Sequence, residues 1–212
     1  MNALFRARLL AWACALASTI GLLVFGWSPT SVLLLYWVET VAIVLVPLVT
    51  VLGLMLVRRE GLVAGIVLFV VMLLLCAFLA AHAMIISVVG LVEMGVITDL
   101  HGTQLTVPLY TPLVVTFRDP FFIASALAVV GLVVFEFHRQ VQSGGSPASA
   151  PGQQWTVMFN RLFFAQFAMI IGGGAVIVSQ LPSTAALVVV ALKLWLDLRS
   201  ARSRATAASA SR

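Results

Sequence analysis

The chain has 212 residues, of which 62% are hydrophobic and only 9% are charged, and its mean hydropathy is +1.16. A soluble domain carries about a quarter charged residues, so this composition excludes a water-soluble fold and predicts an all-α, polytopic transmembrane helix bundle. The formal net charge of +5 does not indicate a nucleic-acid partner, because the basic residues are dispersed between apolar segments or gathered at the C-terminus.

Apolar runs long enough to cross a bilayer occur six times along the chain. The predicted spans cover about 9–27, 31–57, 61–91, 121–137, 155–180 and 184–198, and together they form one transmembrane domain, 1–198. A cleaved signal peptide is the alternative for the first run, but the run continues to Phe25 without a break, which favours a retained helix.

The segments between and after the spans differ in composition. Residues 92–120 contain charged side chains, prolines and glycines, which predicts an extramembrane loop with a short interfacial helix. Residues 142–154 are typical of a flexible polar linker, and 199–212 are predicted to be a basic, disordered tail.

The distribution of arginine tests the six-span topology. With six spans, the arginines at both termini, at 58–59 and at 139 fall on one side of the membrane, and the other side has only Arg118. Positive residues favour the cytoplasmic side. The pattern therefore predicts cytoplasmic termini, a cytoplasmic linker and a multi-pass location in the bacterial inner (plasma) membrane.

Two ionisable residues, Glu39 and His82, fall inside apolar runs on spans two and three. A tight turn joins these spans, so they are predicted to be antiparallel neighbours with both residues at similar depth, in the outer half of the membrane. Two interpretations remain open. In the first, Glu39 and His82 form a proton-accepting pair or part of a metal site. In the second, Glu39 reaches the interface beside Tyr36 and Trp37, and His82 bonds a backbone carbonyl.

Helical spacing predicts which faces of the spans pack together. On span three the small residues form a seam, and His82 lies about 100° away from it. The seam comprises Cys76, Ala80, Ala83, Ser87 and Gly90. On span five Gln166 belongs to a polar stripe that either lines a pathway or bonds to neighbouring helices.

Further candidates lie nearer the predicted membrane surfaces. Lys193 and Asp197 are one helical turn apart on span six and are predicted to brace the cytoplasmic end. In the outer loop, Asp99 and His101 are weak candidates to join His82 in binding a metal, although their spacing is not a recognised ligand signature. No cofactor is predicted.

Familiar catalytic motifs are absent from the chain. It has no HExxH, no GxSxG, no phosphate-binding GxxxxGK[ST] and no CxxC pair. The sequence therefore favours a protein that is not an enzyme.

Three segments resemble the DUF6498 family of uncharacterised integral membrane proteins: LLLYWVETVAIVL at 33–45, the region of His82, and ALKLWLDLRS at 191–200. The first is similar to the family's YW-x-E-N motif, in which Tyr36, Trp37 and Glu39 match while Thr40 replaces the amide. The resemblance implies a multi-span architecture and brings no established activity.

The other two segments match the family less evenly. The family motif on span three resembles HYG followed by a second histidine, and here only His82 matches. The last motif resembles LKxxxDL and is matched by Lys193, Asp197 and Leu198.

Three functional classes follow from these observations. The first is a transport or channel-like membrane protein for protons or a small solute. The alternatives are a structural or accessory membrane subunit, and a membrane metal-binding protein or enzyme. The expected partners are the lipid bilayer and either further copies of the chain or a membrane partner subunit, with no nucleic acid.

Overall fold

A computed structural model describes residues 3–58, 62–94, 108–142 and 182–210, together with Phe167, Ile170, Ile171 and Gly174. Within these residues all regular structure is α-helical, which confirms the predicted all-α class. The helices are α1 (Ala3–Val24), α2 (Pro29–Arg58), α3 (Leu62–Glu93), α4 (Thr111–Thr116), α5 (Pro120–Gln142) and α6 (Pro182–Ala210).

Three helices contain a segment long and apolar enough to cross a membrane. These segments are Pro29–Thr50, Val70–Glu93 and Pro120–Arg139, and α1 adds a shorter apolar stretch, Leu9–Val24. Their outward faces are also apolar: Leu23 is 69% exposed and Leu127 is 67% exposed. Exposed apolar faces of this extent suit contact with lipid rather than water.

The second helix is the centre of the bundle. It contacts α1, α3, α4, α5 and α6. Its residues from Val32 to Tyr36 are buried on every side of the helix, as expected for a helix that is apolar all round and surrounded by neighbours. Pro47 lies inside this helix, where it supplies no backbone N–H.

Side-chain hydrogen bonds join several helices at one end of the bundle, called the capped end below. Trp27 Nε1 donates to Asp119 Oδ2 at 2.6 Å. Thr30 Oγ1 donates to Glu93 Oε2 at 2.6 Å, and the Thr30 backbone N–H donates to Glu93 Oε1 at 3.2 Å. Because Trp27 joins α1 to α2, Glu93 ends α3 and Asp119 precedes α5, α1 and α3 end here while α2 and α5 begin here.

Helix direction places two arginines at the opposite end of the bundle. Arg58 is the last residue of α2, and Arg139 lies in the last turn of α5. Both helices begin at the capped end, so both arginines lie far from the carboxylates of Glu93 and Asp119. The bonds from Thr30 to Glu93 join the start of α2 to the end of α3, which confirms that these two helices are antiparallel neighbours.

The turn between α1 and α2 requires glycine at two positions. Gly26 has φ +65°, a left-handed backbone conformation that most side chains disfavour. The Trp27 backbone N–H donates to the Gly21 carbonyl at 2.9 Å, and the Trp27 indole fills the space that a Cβ at Gly21 would occupy.

The packed face of α3 differs from the predicted small-residue seam. Of the predicted seam, Cys76 and Ala80 are exposed, whereas Ser87 and Gly90 are buried and Ala83 is half-buried. The buried stripe also includes His82, and it comprises Leu75, Leu79, His82, Ile86, Ser87, Val89 and Gly90. Residue size alone does not determine which face of α3 meets α2. Large apolar side chains can fill the interface, and small residues can let the two helices approach closely.

The end of the last helix differs from the sequence prediction. Helix α6 continues to Ala210, so the segment predicted to be a disordered tail is helical through that residue. Alanine and arginine are strong helix formers, and the segment contains neither glycine nor proline. Most of the predicted span 155–180, nearly all of the linker 142–154 and the middle of the predicted outer loop lie outside the described residues.

Candidate functional site

A buried cluster of three charged side chains joins α2 to α6. Lys193 Nζ lies 2.7 Å from Glu39 Oε2 and 2.7 Å from Asp197 Oδ2, and it donates a hydrogen bond to the aspartate. The side chains of Glu39 and Lys193 are only 6% and 7% exposed, whereas that of Asp197 is 26% exposed. Glu39, Lys193 and Asp197 are called the charge cluster below.

The position of Glu39 relative to Lys193 differs from the prediction. Glu39 lies ten residues along α2 from Pro29, about 15 Å at 1.5 Å per residue. It lies beside Lys193 rather than apart from it. The prediction of separate outer and cytoplasmic groups was wrong, because the sequence does not show how far α6 is shifted along α2.

Helix α1 and the aromatic ring of Tyr36 form the remaining walls of the site. Cys14 and Ser18, one turn apart on α1, are both buried. The Cys14 thiol lies near Glu39, and Lys193 Nζ lies 4.7 Å from the centre of the Tyr36 ring. Sequence reasoning assigned no functional role to Cys14 or Ser18, although their spacing of four was a usable signal.

Three buried polar atoms at this site have no hydrogen-bond partner among the described residues: Ser18 Oγ, Tyr36 Oη and Glu39 Oε2. The Tyr36 hydroxyl lies near Ser18, but the two hydroxyls do not meet in hydrogen-bonding geometry. The short contact of Glu39 with Lys193 is likewise an ion pair outside hydrogen-bonding angles. A buried polar atom left unsatisfied costs about 1–3 kcal/mol, so the hydroxyls of Ser18 and Tyr36 destabilise the site unless another polar group contacts them.

The charge cluster is not electrically balanced. Two carboxylates and one ammonium give a net charge of −1, since −2 and +1 sum to that value. An unbalanced charge is costly in a medium of low dielectric constant. The cluster is therefore suited to accept one positive charge, in the form of a proton or a small cation.

His82 is buried but serves a local role. Its Nδ1 donates to the backbone carbonyl of Phe78 at 2.6 Å, and the two rings lie 4.4 Å apart. Of the two interpretations of His82, bonding to a backbone carbonyl is confirmed. Within the described part of the chain no hydrogen bond joins Glu39 to His82.

A metal site at the predicted outer loop stays a prediction. Glu93, at the start of that loop, binds the first turn of α2 through Thr30. The described ranges contain no group of three His, Cys, Asp or Glu residues that could hold a metal ion. Asp99, His101 and Gln166 lie outside the described residues.

Two segments that carry the family resemblance meet at the charge cluster, since Tyr36 and Glu39 come from the first and Lys193 and Asp197 from the last. Neither a curated protein nor a solved structure matches the chain. The model of DUF6498, a family of unknown function, matches residues 4–212. The chain therefore belongs to the DUF6498 family.

Proposed function

We propose that the chain is a multi-pass membrane transport protein for protons or a small solute, with the charge cluster as its transport site. The observation that carries this proposal is the buried Lys193 of α6, held 2.7 Å from Asp197 on its own helix and 2.7 Å from Glu39 within the apolar segment of α2. Ionisable groups are costly inside a membrane, and they commonly mark proton or ion pathways there.

The difference in exposure within the cluster supports a pathway. Asp197 is partly exposed and Glu39 is almost completely buried, with Lys193 between them. A proton that enters at Asp197 neutralises that carboxylate, and Lys193 then pairs with Glu39 alone. When the proton is on Glu39 instead, Lys193 pairs with Asp197 alone. Each transfer changes the attraction between α2 and α6, which couples proton movement to the packing of these helices.

We also infer six spans with both termini in the cytoplasm. Arg58 and Arg139 lie at the end of the bundle opposite Glu93 and Asp119, and positive residues favour the cytoplasmic side. A reporter that works only in the cytoplasm should be active when fused after residue 147 or after the C-terminus. A reporter that works only in the periplasm should be inactive at both positions. A periplasmic signal from either fusion would contradict this topology.

The transport test uses the full chain in proteoliposomes that contain a pH-sensitive dye. After an imposed pH gradient, wild-type vesicles should dissipate the gradient faster than empty vesicles, and Glu39→Gln should reduce the protein-dependent rate at least tenfold. Thr40→Val is the matched control, because Thr40 Oγ1 already donates to the Tyr36 backbone carbonyl at 2.8 Å. Equal rates for wild type and Glu39→Gln would contradict the proposed site.

A structural or accessory subunit is the second candidate. It is favoured by the direct pairing of Lys193 with two carboxylates, which joins α2 to α6 without any ligand. In that case wild-type vesicles conduct no more protons than empty ones. Glu39→Gln then lowers the stability of the chain and its recovery with partners in gentle detergent.

A further inference from the structure

We propose that the charge cluster, with the hydroxyls of Ser18 and Tyr36, binds one monovalent metal cation such as Na⁺ in competition with a proton. This inference rests on the proposed transport function and names its second substrate. The site lies between α1, α2 and α6, and Asp197 is the partly exposed member of the cluster.

The position of Lys193 shows that the cluster accommodates a positive charge. Its ammonium group lies 2.7 Å from one oxygen of each carboxylate. Lys193 compensates only one of the two negative charges, and a single added cation makes the site neutral. In a low-dielectric interior, this neutralisation favours the binding of one cation and opposes the binding of a second.

The unpartnered atoms supply the chemistry that a small, hard cation prefers. Ser18 Oγ and Tyr36 Oη are buried hydroxyl oxygens without a hydrogen-bond partner among the described residues. Glu39 Oε2 is a buried carboxylate oxygen that contacts the Lys193 ammonium. Hydroxyl and carboxylate oxygens suit alkali and alkaline-earth ions, whereas zinc and related metals favour imidazole and thiolate. A net charge of −1 selects a monovalent ion over a divalent one.

A proton and the cation neutralise the same excess charge and therefore exclude each other. The exchange is balanced: the protonated site takes up Na⁺ and releases H⁺ from a carboxyl group. The titratable groups that face the site are Cys14 on α1, Tyr36 and Glu39 on α2, and Lys193 and Asp197 on α6. Higher proton concentration should thus weaken Na⁺ binding.

The test measures binding at equilibrium and requires no transport. The purified full chain in detergent, with choline as the background cation, is titrated with radioactive Na⁺ by equilibrium dialysis. A second titration in weak buffer follows proton release after addition of NaCl, with choline chloride as the control. We expect saturable binding of about one Na⁺ per chain, with release of up to about one H⁺.

Single-atom changes identify the ligands. Tyr36→Phe and Ser18→Ala each remove one unpartnered hydroxyl and should weaken Na⁺ binding about tenfold. The matched controls are Thr40→Val and Thr19→Val, because both threonine hydroxyls already donate to a backbone carbonyl at 2.8 Å. The controls should bind Na⁺ as the wild type does. The elution profile and melting temperature of each of the four variants report whether it folds.

Three results would overturn the inference: no saturable Na⁺ binding, binding without proton release, or full binding by folded Tyr36→Phe and Ser18→Ala. Proton flux that persists without Na⁺ binding would contradict this inference but leave the proposed function intact. Na⁺ binding without any flux would instead contradict the proposed transport function.

Discussion

Lys193 and Glu39 form a buried ion pair, with Nζ and Oε2 separated by 2.7 Å, between the last described helix and the central helix of the bundle. The pair joins two segments that are far apart in the sequence and that both carry the resemblance to the family. Asp197 lies equally close to Lys193, so carboxylates of two helices contact the same ammonium group.

Removal of Lys193 should destabilise the protein more than removal of Glu39. Lys193→Met leaves two carboxylates without their cation, and breaking a buried pair from one side costs about 3–5 kcal/mol. Glu39→Gln leaves Lys193 paired with Asp197, so its cost should be about 1–3 kcal/mol. Thermal or denaturant unfolding in detergent measures both values.

The double variant Glu39→Gln/Lys193→Met is the control for this comparison. It leaves Asp197, which is partly exposed, as the only charged member of the cluster. Its cost should be clearly smaller than the sum of the two single costs, since the buried carboxylate of Glu39 is then no longer left without its cation. An additive result would mean that the two residues do not interact.

His82→Asn should leave the rate of proton flux within about twofold of wild type. The His82 imidazole donates to the Phe78 carbonyl within its own helix, and this local bond does not connect it to Glu39. The proteoliposome assay used for Glu39→Gln makes the measurement. A loss of flux as large as that of Glu39→Gln, with the fold intact, would restore the hypothesis of a functional Glu39 and His82 pair.

Gly90→Ala should destabilise the contact between α3 and α4 by about 1–3 kcal/mol. A Cβ at Gly90 would overlap the Pro112 ring and lie 3.1 Å from Thr30 Cγ2. Gly131→Ala is the matched control, because nothing described lies within 4 Å of a Cβ there. In that open helical position alanine should be neutral or stabilising by up to about 1 kcal/mol. Equal melting temperatures for the two variants would argue against the close packing at Pro112.

Trp27→Phe should lower the free energy of unfolding by about 1–3 kcal/mol. Phenylalanine retains an aromatic ring beside Phe121 and Phe122, but it cannot donate to Asp119. Trp12→Phe provides the control, because Trp12 is 48% exposed. If both variants unfolded alike, the bond between Trp27 and Asp119 would not stabilise the capped end.

The sequence alone identified the apolar, all-helical character of the chain and most helix boundaries to within a few residues. These features depend on local composition and on the length of apolar runs, which the order of residues displays directly. It also selected Glu39, His82, Lys193 and Asp197 for attention, since ionisable residues in apolar runs are rare.

Only the tertiary structure decided which of these residues meet. The sequence paired Glu39 with His82 because spans two and three are joined by a short turn, yet Glu39 lies beside Lys193 and His82 bonds to Phe78. The rotation of a helix about its axis and its shift along a neighbour depend on the packing of every contacting side chain. Those two quantities leave no simple periodic signal in the sequence, and they determine that a carboxylate on α2 meets a lysine on α6.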